Sequence, residues 1–327
     1  INFDILIEKL HGLGVHGDLL RWLESYVRDR SQAVTFNGFC SSFAPVPSGV
    51  PQGSHLGPML FNIYVNDVSN VFRKSKFIMY ADDKKVYKVI KSLNDCLELQ
   101  DDLNNLFVYC QNNLLTVNTN KCTIITFSRG RSNILYDYSI NGQTLVRTTV
   151  VRDLGIYLDS SLIFDFHVNE IVNKAFRILG FILRVGKDFK RPSTLILLYN
   201  SFVRSILEYG SVTWNPQYNI YIQRLERVQK KFFKHLLYHC RRFNSPEPTE
   251  FVSLVDRRLL RDQMFLYKII NNEIDSSYLL SKISFKCSRI SARSKQTFHM
   301  STARTKYASN SFVRRSCRLY DAKFSNA

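Results

Sequence analysis

The chain has 327 residues, 45% of them hydrophobic and 13% aromatic, with 45 Lys and Arg against 27 acids for a net charge of +18. This composition excludes an intrinsically disordered chain and leaves room for about two domains. No apolar run approaches the ~18 residues that a membrane span requires. The basic excess favours a polyanionic partner, because each neutralised phosphate releases condensed counterions; a merely soluble basic surface is the plain alternative.

In chain order, residues 17–29 predict a helix, with Leu19, Leu20, Leu23 and Val27 on one side. Gln32 to Phe36 predicts a strand ending in the turn pair Asn37-Gly38, and a Pro/Ser/Gly-rich loop runs from Ser41 to Gly53. A helix is expected from Ser54, a candidate N-cap, to about Asn70. The apolar strand Phe77–Tyr80 then leads to a tight acidic turn and a returning strand, Val86 to Ile90. Residues 93–115 carry the clearest helical stripe, through Leu99, Leu103, Leu106, Phe107, Cys110 and Leu114. Further strands are expected at Thr123 to Phe127 and Val150 to Leu158, with a hairpin around Asn141-Gly142 between them.

After about residue 165 the pattern is mostly helical, with candidates at 167–185, 193–208, 220–239 and 254–271. The third is amphipathic, with Ile222, Leu225, Val228, Phe232 and Leu236 on one side and Arg224, Arg227, Lys230, Lys231 and Lys234 on another. From Leu280 onward there are 11 Lys and Arg and one acid, Asp321, so about +10 of the net +18 sits there. That segment is expected to be loosely ordered and phosphate-seeking.

Cys40, Cys96, Cys110, Cys122, Cys240, Cys287 and Cys317 are odd in number and form no CxxC pair. This argues against a disulfide framework or a disulfide-linked partner and fits a reducing compartment. His235 and His239 lie four apart with Cys240 beside them, but no further ligand is suitably spaced, so packing is their expected role rather than zinc binding.

The chemistry concentrates at Tyr80-Ala81-Asp82-Asp83. Two adjacent carboxylates at a turn repel each other unless a cation sits beside them, and two-metal phosphoryl transfer uses such a pair. An Asp-Asp pair alone is weak evidence; Asp101-Asp102 is expected to be an ordinary helix face. Upstream, however, Ser48-Gly49-Val50-Pro51-Gln52-Gly53-Ser54 runs on through Leu56-Gly57-Pro58-Met59-Leu60-Phe61-Asn62 to Asn66-Asp67.

Together these stretches resemble motifs B and C of the reverse transcriptases of non-LTR retrotransposons. Leu115-Thr116-Val117-Asn118 with Lys121 resembles motif D, and Asp153-Leu154-Gly155-Ile156-Tyr157-Leu158-Asp159 resembles motif E. Leu207-Glu208-Tyr209-Gly210 with Trp214, and the basic helix, are similar to the thumb region of jockey-like elements. The resemblance implies RNA-directed DNA polymerase activity, with Mg²⁺ (or Mn²⁺) held by Asp82 and Asp83 and Lys121 as a candidate general acid. It assigns Gln52, Gly53 and Ser54 to the nucleotide and template, and Leu154 and Gly155 to the primer. Arg224, Arg227, Lys230, Lys231 and Lys234 would touch nucleic acid. The implied partners are an RNA template, a DNA primer and deoxynucleoside triphosphates, with no membrane, in the nucleus and cytoplasm.

In that family the stretch resembling Ile1-Asn2-Phe3-Asp4 directly follows motif A, whose Asp binds both metals. Motif A is therefore expected upstream of Ile1, with Asp4 as a helix cap, and the chain is expected to be inactive alone. The alternative is a non-catalytic nucleic-acid-binding remnant of a retroelement. The implied fold is α+β: a polymerase palm at 1–164, with a small antiparallel sheet, packed helices, and its first strand and most of the fingers missing. A helical thumb at 165–279 and a basic tail at 280–327 would follow.

Overall fold

A computed structural model describes residues 1–128, 134–246, 251–286, 297–303 and 305–324. They fall into two units, Ile1–Thr149 and Val150–Ala327.

In the first unit, Asn2 opens the helix Phe3–Gly12, its side chain accepting the Ile5 amide at 3.1 Å. Asp4, expected to be the cap, lies in the first turn and pairs with Arg28 at 2.6 Å. The correction is physical: a short amide side chain just before the first helical residue reaches the free N–H groups there. Helices Gly17–Val27 and Leu56–Val65 pack on this one through Leu6, Leu10, Leu23, Leu60 and Tyr64. The expected strand at 32–36 is split. Ser31–Gln32 pairs with Ala44–Pro45, while Thr35–Phe36 pairs with Phe39–Cys40 across Asn37-Gly38.

Helix Leu93–Asn112 starts with a reciprocal capping box between Ser92 and Asp95. It carries two separate apolar clusters. Cys96 meets Tyr138, Ile140 and Leu145, whereas Leu106 and Cys110 meet Val68, Phe77 and Val86. The described strands form six two-stranded pairs rather than the one small antiparallel sheet expected, and this spacing keeps two of the hairpins apart. The hairpins at 76–87 and 139–144 bury one face on different stretches of this helix, the pairs at 31–45 and 35–40 are exposed, and the pairing of Thr123–Ile125 with Val146–Thr148 is parallel.

The second unit begins at the hairpin Val150–Asp153/Ile156–Asp159, ahead of the boundary expected at 165, because Ile156 and Leu158 pack into the helical core. Asp159 ends the hairpin by accepting the amides of Ser161, Ile163 and Phe164, which steers the chain into helix Asp165–Val185. Helices Pro192–Leu198, Asn219–Arg242 and Leu254–Ile270 follow. The first of these continues through a π-helical turn, Tyr199–Arg204. There Tyr199 stacks on Phe232 with centroids 4.1 Å apart and donates to Gln229.

Where a loosely ordered basic tail was expected, the described residues include helix Phe312–Phe324. Cys317 of that helix joins Leu266, Ile269, Ile283 and Phe298 in a core cluster. Arg315 grips the fully buried Asp262 at 2.7 and 3.1 Å, so part of the charge that suggested a solvated tail is used internally. Arg289, Arg293 and Lys295 lie outside the described residues. No described helix is long and apolar enough to cross a membrane.

Candidate functional site

Strands Lys76–Tyr80 and Asp83–Tyr87 pair antiparallel, with Tyr80 opposite Asp83, so Ala81 and Asp82 alone form the loop. Phe77, Met79 and Val86 face inward, while Ile78 and Tyr80 are 54% and 65% exposed. The apolar strand is therefore covered on one face only. A two-residue hairpin loop requires positive φ at its first central position. Ala81 supplies it at +52°, a conformation that costs a non-glycine residue about 1–2 kcal/mol. Such strain concentrates at functional turns.

Asp82 and Asp83 are exposed at this apex, and no described side chain hydrogen-bonds or ion-pairs with either. Carboxylate oxygens are the donors that Mg²⁺ prefers. Among the described residues, however, no group of three or more His, Cys, Asp or Glu comes together. The pair suits a hard divalent cation but does not by itself complete a two-metal centre. His235 and His239 likewise gather no further ligand there; His239 is buried with both ring nitrogens unpartnered.

Asp102, expected to be a plain helix face, is 1% exposed. Its carboxylate accepts the backbone amides of Arg73, Lys74 and Ser75 at 3.1, 3.0 and 2.6 Å, directly before the Asp82 hairpin's first strand. Burial pushes this carboxyl up, but the amides outweigh it and hold it below the ordinary carboxylate range.

The Ser48–Ser54 loop is folded back on the following helix. Where Ser54 was the expected N-cap of a helix to about Asn70, His55 holds that position and the helix ends at Val65 in a 3₁₀ turn, Asn66–Val71. Ser54, one residue earlier, donates its hydroxyl to the Pro51 carbonyl at 2.8 Å and accepts the Gly57 amide at 2.9 Å. A Cβ on Gly57 would sit 2.6 Å from the Pro51 oxygen, so only glycine permits this approach. Gly49 and Gly53 have φ of +91° and +78°, which leaves Gln52 and Gly53 exposed at the loop tip. Met79 packs against the cluster containing Leu60 and Tyr64, so loop helix and acidic hairpin share a core.

At the far end of that helix, Asp67 accepts from Lys9 at 2.8 Å and from the Tyr109 hydroxyl at 2.6 Å. Burial raises the Asp67 carboxyl, yet Lys9 and Tyr109 bring it below its usual range. The Tyr109 hydroxyl is driven strongly upward by burial and by that same carboxylate.

Lys121 is exposed at the end of the 3₁₀ turn Thr119–Lys121, beside a strand pair separate from the Asp82 hairpin. In the second unit, Leu154 and Gly155 form the loop of their hairpin, with φ of +44° and +86°. Arg227, Lys230, Lys231 and Lys234 are exposed and line a shallow groove with Phe176, over whose ring Lys231 lies at 5.5 Å. Arg224 stands apart from them, donating to Asn169.

Residues 1–183 match the family model described as reverse transcriptase (RNA-dependent DNA polymerase). Over 227 residues the chain is 28% identical to the RNA-directed DNA polymerase from mobile element jockey of Drosophila melanogaster, covering 65% of this chain and 24% of that protein. It is 26% identical over 221 residues to the probable RNA-directed DNA polymerase from transposon X-element of the same species, covering 64% and 24%. The Drosophila funebris jockey polymerase is 30% identical over 164 residues, covering 47% and 18%. The chain thus spans about a quarter of the length of the first two relatives. With the Gln52 loop and the Asp82-Asp83 hairpin lying inside the matched region, the chain belongs to the reverse transcriptase family, among the jockey-like enzymes of non-LTR retrotransposons.

Proposed function

We propose that this chain is the palm-and-thumb portion of an RNA-directed DNA polymerase that extends a DNA primer on an RNA template with deoxynucleoside triphosphates, inside the cell. The observation that carries this reading is the strained, unpartnered Asp82-Asp83 apex, sharing a core with the helix that follows the Gln52 loop. Asp82 and Asp83 would hold Mg²⁺ or Mn²⁺, which in this chemistry activates the primer hydroxyl and stabilises the departing pyrophosphate. Gln52, Gly53 and Ser54 would border the nascent base pair, where Gly53, bare of a Cβ, lets backbone approach closely. Lys121 is the candidate proton donor to pyrophosphate.

The exposed Arg227, Lys230, Lys231 and Lys234 would follow the phosphates of the primer–template duplex, and the Leu154-Gly155 turn would touch the primer. Because no third acidic ligand joins Asp82 and Asp83 among the described residues, the chain alone would bind substrate without turning it over. The same observation favours a second reading, in which the chain is a nucleic-acid-binding remnant.

A Mn²⁺ titration followed by electron paramagnetic resonance separates the two. The polymerase reading expects binding that is lost in the Asp82→Asn, Asp83→Asn double variant. Equal binding by wild type and variant would leave only the second reading.

A further inference from the structure

The loop of the Val150–Asp159 hairpin is exposed, and Tyr209 lies against it. The Tyr209 hydroxyl donates to the Leu154 carbonyl at 2.9 Å, and its ring lies so close to Gly155 that a Cβ there would sit 3.3 Å from Tyr209 Cε1. The neighbouring Gly210 has φ +62°, and a Cβ on it would stand 2.6 Å from Ile156 Cδ1, so glycine lets this segment reach the hairpin's second strand. The Tyr209 backbone is fixed in turn, because the Trp214 indole donates to its carbonyl at 2.7 Å. Trp214 is 1% exposed and packs edge-on to His167 at 4.9 Å, while His167 Nδ1 accepts the Tyr157 amide of the same hairpin at 3.3 Å.

Tyr209 itself is 58% exposed, so its ring is not part of the core. A rigid buried base of Trp214 and His167 thus carries an outward-facing side chain whose polar end meets the hairpin loop. A carbonyl at the apex of a two-residue loop otherwise has only water to bond, and such a loop opens easily.

We infer that Tyr209 is the positioning residue of the Leu154-Gly155 turn, setting the turn where a primer strand is received. This rests on the proposed polymerase reading, since it takes the turn as a primer contact. Tyr209 does not touch reacting atoms; it acts through the turn.

The test compares Tyr209→Phe with wild type and with Tyr278→Phe, a control at another exposed tyrosine. Three readouts are taken on the full chain: amide hydrogen exchange across 150–159, affinity for a fluorescent DNA primer annealed to a longer RNA, and affinity for single-stranded RNA of the same length. Losing one hydrogen bond of ordinary net strength corresponds to roughly three- to tenfold. Tyr209→Phe is expected to speed exchange at Leu154 and Gly155 by about that factor and to weaken hybrid binding similarly. Single-strand affinity should stay unchanged and the melting temperature should fall by no more than a few degrees, while all readouts should stay unchanged in Tyr278→Phe.

Unaltered exchange in the turn would overturn the positioning role. Faster exchange with undiminished hybrid affinity, or an equal loss for hybrid and single strand, would overturn its link to the primer. A wild-type chain that binds the hybrid no better than the single strand would instead refute the polymerase reading, a failure visible before any variant is made.

Discussion

The Asp102 carboxylate accepts the Ser75 amide at 2.6 Å, tying the Leu93–Asn112 helix to the residue that precedes the strand leading to Asp82. Arg73 and Lys74 donate to the same carboxylate. Removing it in Asp102→Ala leaves three part-buried amides without their acceptor, so a loss of about 1–3 kcal/mol in unfolding free energy is expected from denaturant titration. Asp102→Asn, which keeps one acceptor, should lose about half as much.

Acid stability follows from the same group. Asp102, Asp67 and Asp159 are all held below the ordinary carboxylate range, in each case against a burial effect that pushes upward. A carboxylate with a depressed folded pKa contributes stability that is fully present above its unfolded value, about 4, and lost as pH falls through the folded value. Melting temperature should therefore be flat from neutral pH to about 5 and fall below about 4. Asp102→Asn should show a smaller acid-induced fall than wild type, and a fall of equal size would count against the assignment.

Gly57→Ala places a methyl group against the Pro51 carbonyl. Backbone cannot move aside cheaply, so a destabilisation of about 1–3 kcal/mol is expected. Faster exchange of the Gly53 and Ser54 amides would show that the loop has lifted from the helix.

Arg315→Ala leaves Asp262 buried without its bidentate partner. Breaking one side of such a pair costs about 3–5 kcal/mol. The double variant Arg315→Met, Asp262→Leu removes both charges and should recover much of that loss in a chemical melt. An equally severe double variant would mean that the helix Phe312–Phe324 is held by something other than this pair.

Charge removal in the groove has a distinct signature. Lys230→Ala, Lys231→Ala and Lys234→Ala combined should lower the slope of log affinity against log salt by roughly 0.7–0.9 for each phosphate left without its cation. Arg224→Ala, which removes a guanidinium hydrogen-bonded to the neutral Asn169 amide, should change that slope by no more than one phosphate's share.

Local pattern carried much of this architecture. The stripe through Leu99, Leu103 and Leu106 gave its helix, and Asn141-Gly142, with φ of +52° and +71°, gave its turn. What escaped depends on distant partners. Asp102 looks like any polar helix residue until residues 73–75 fold over it, 27 to 29 positions away. Tyr209 meets Leu154 across 55 residues, and Arg315 meets Asp262 across 53. The Gln52 loop and Asp82 hairpin were legible because their chemistry is written in short runs. That they share a core through Met79 was not.

In the polymerase reading Asp82 and Asp83 would mark the transfer site, and no third acidic ligand joins them among the described residues. Primer extension on an RNA template, with Mg²⁺ or Mn²⁺ and all four deoxynucleoside triphosphates, tests this most directly when hybrid binding is measured in the same samples. The chain is expected to bind the hybrid and to add no nucleotides beyond the Asp82→Asn, Asp83→Asn background. Robust extension by the wild-type chain, abolished in that double variant, would contradict this expectation.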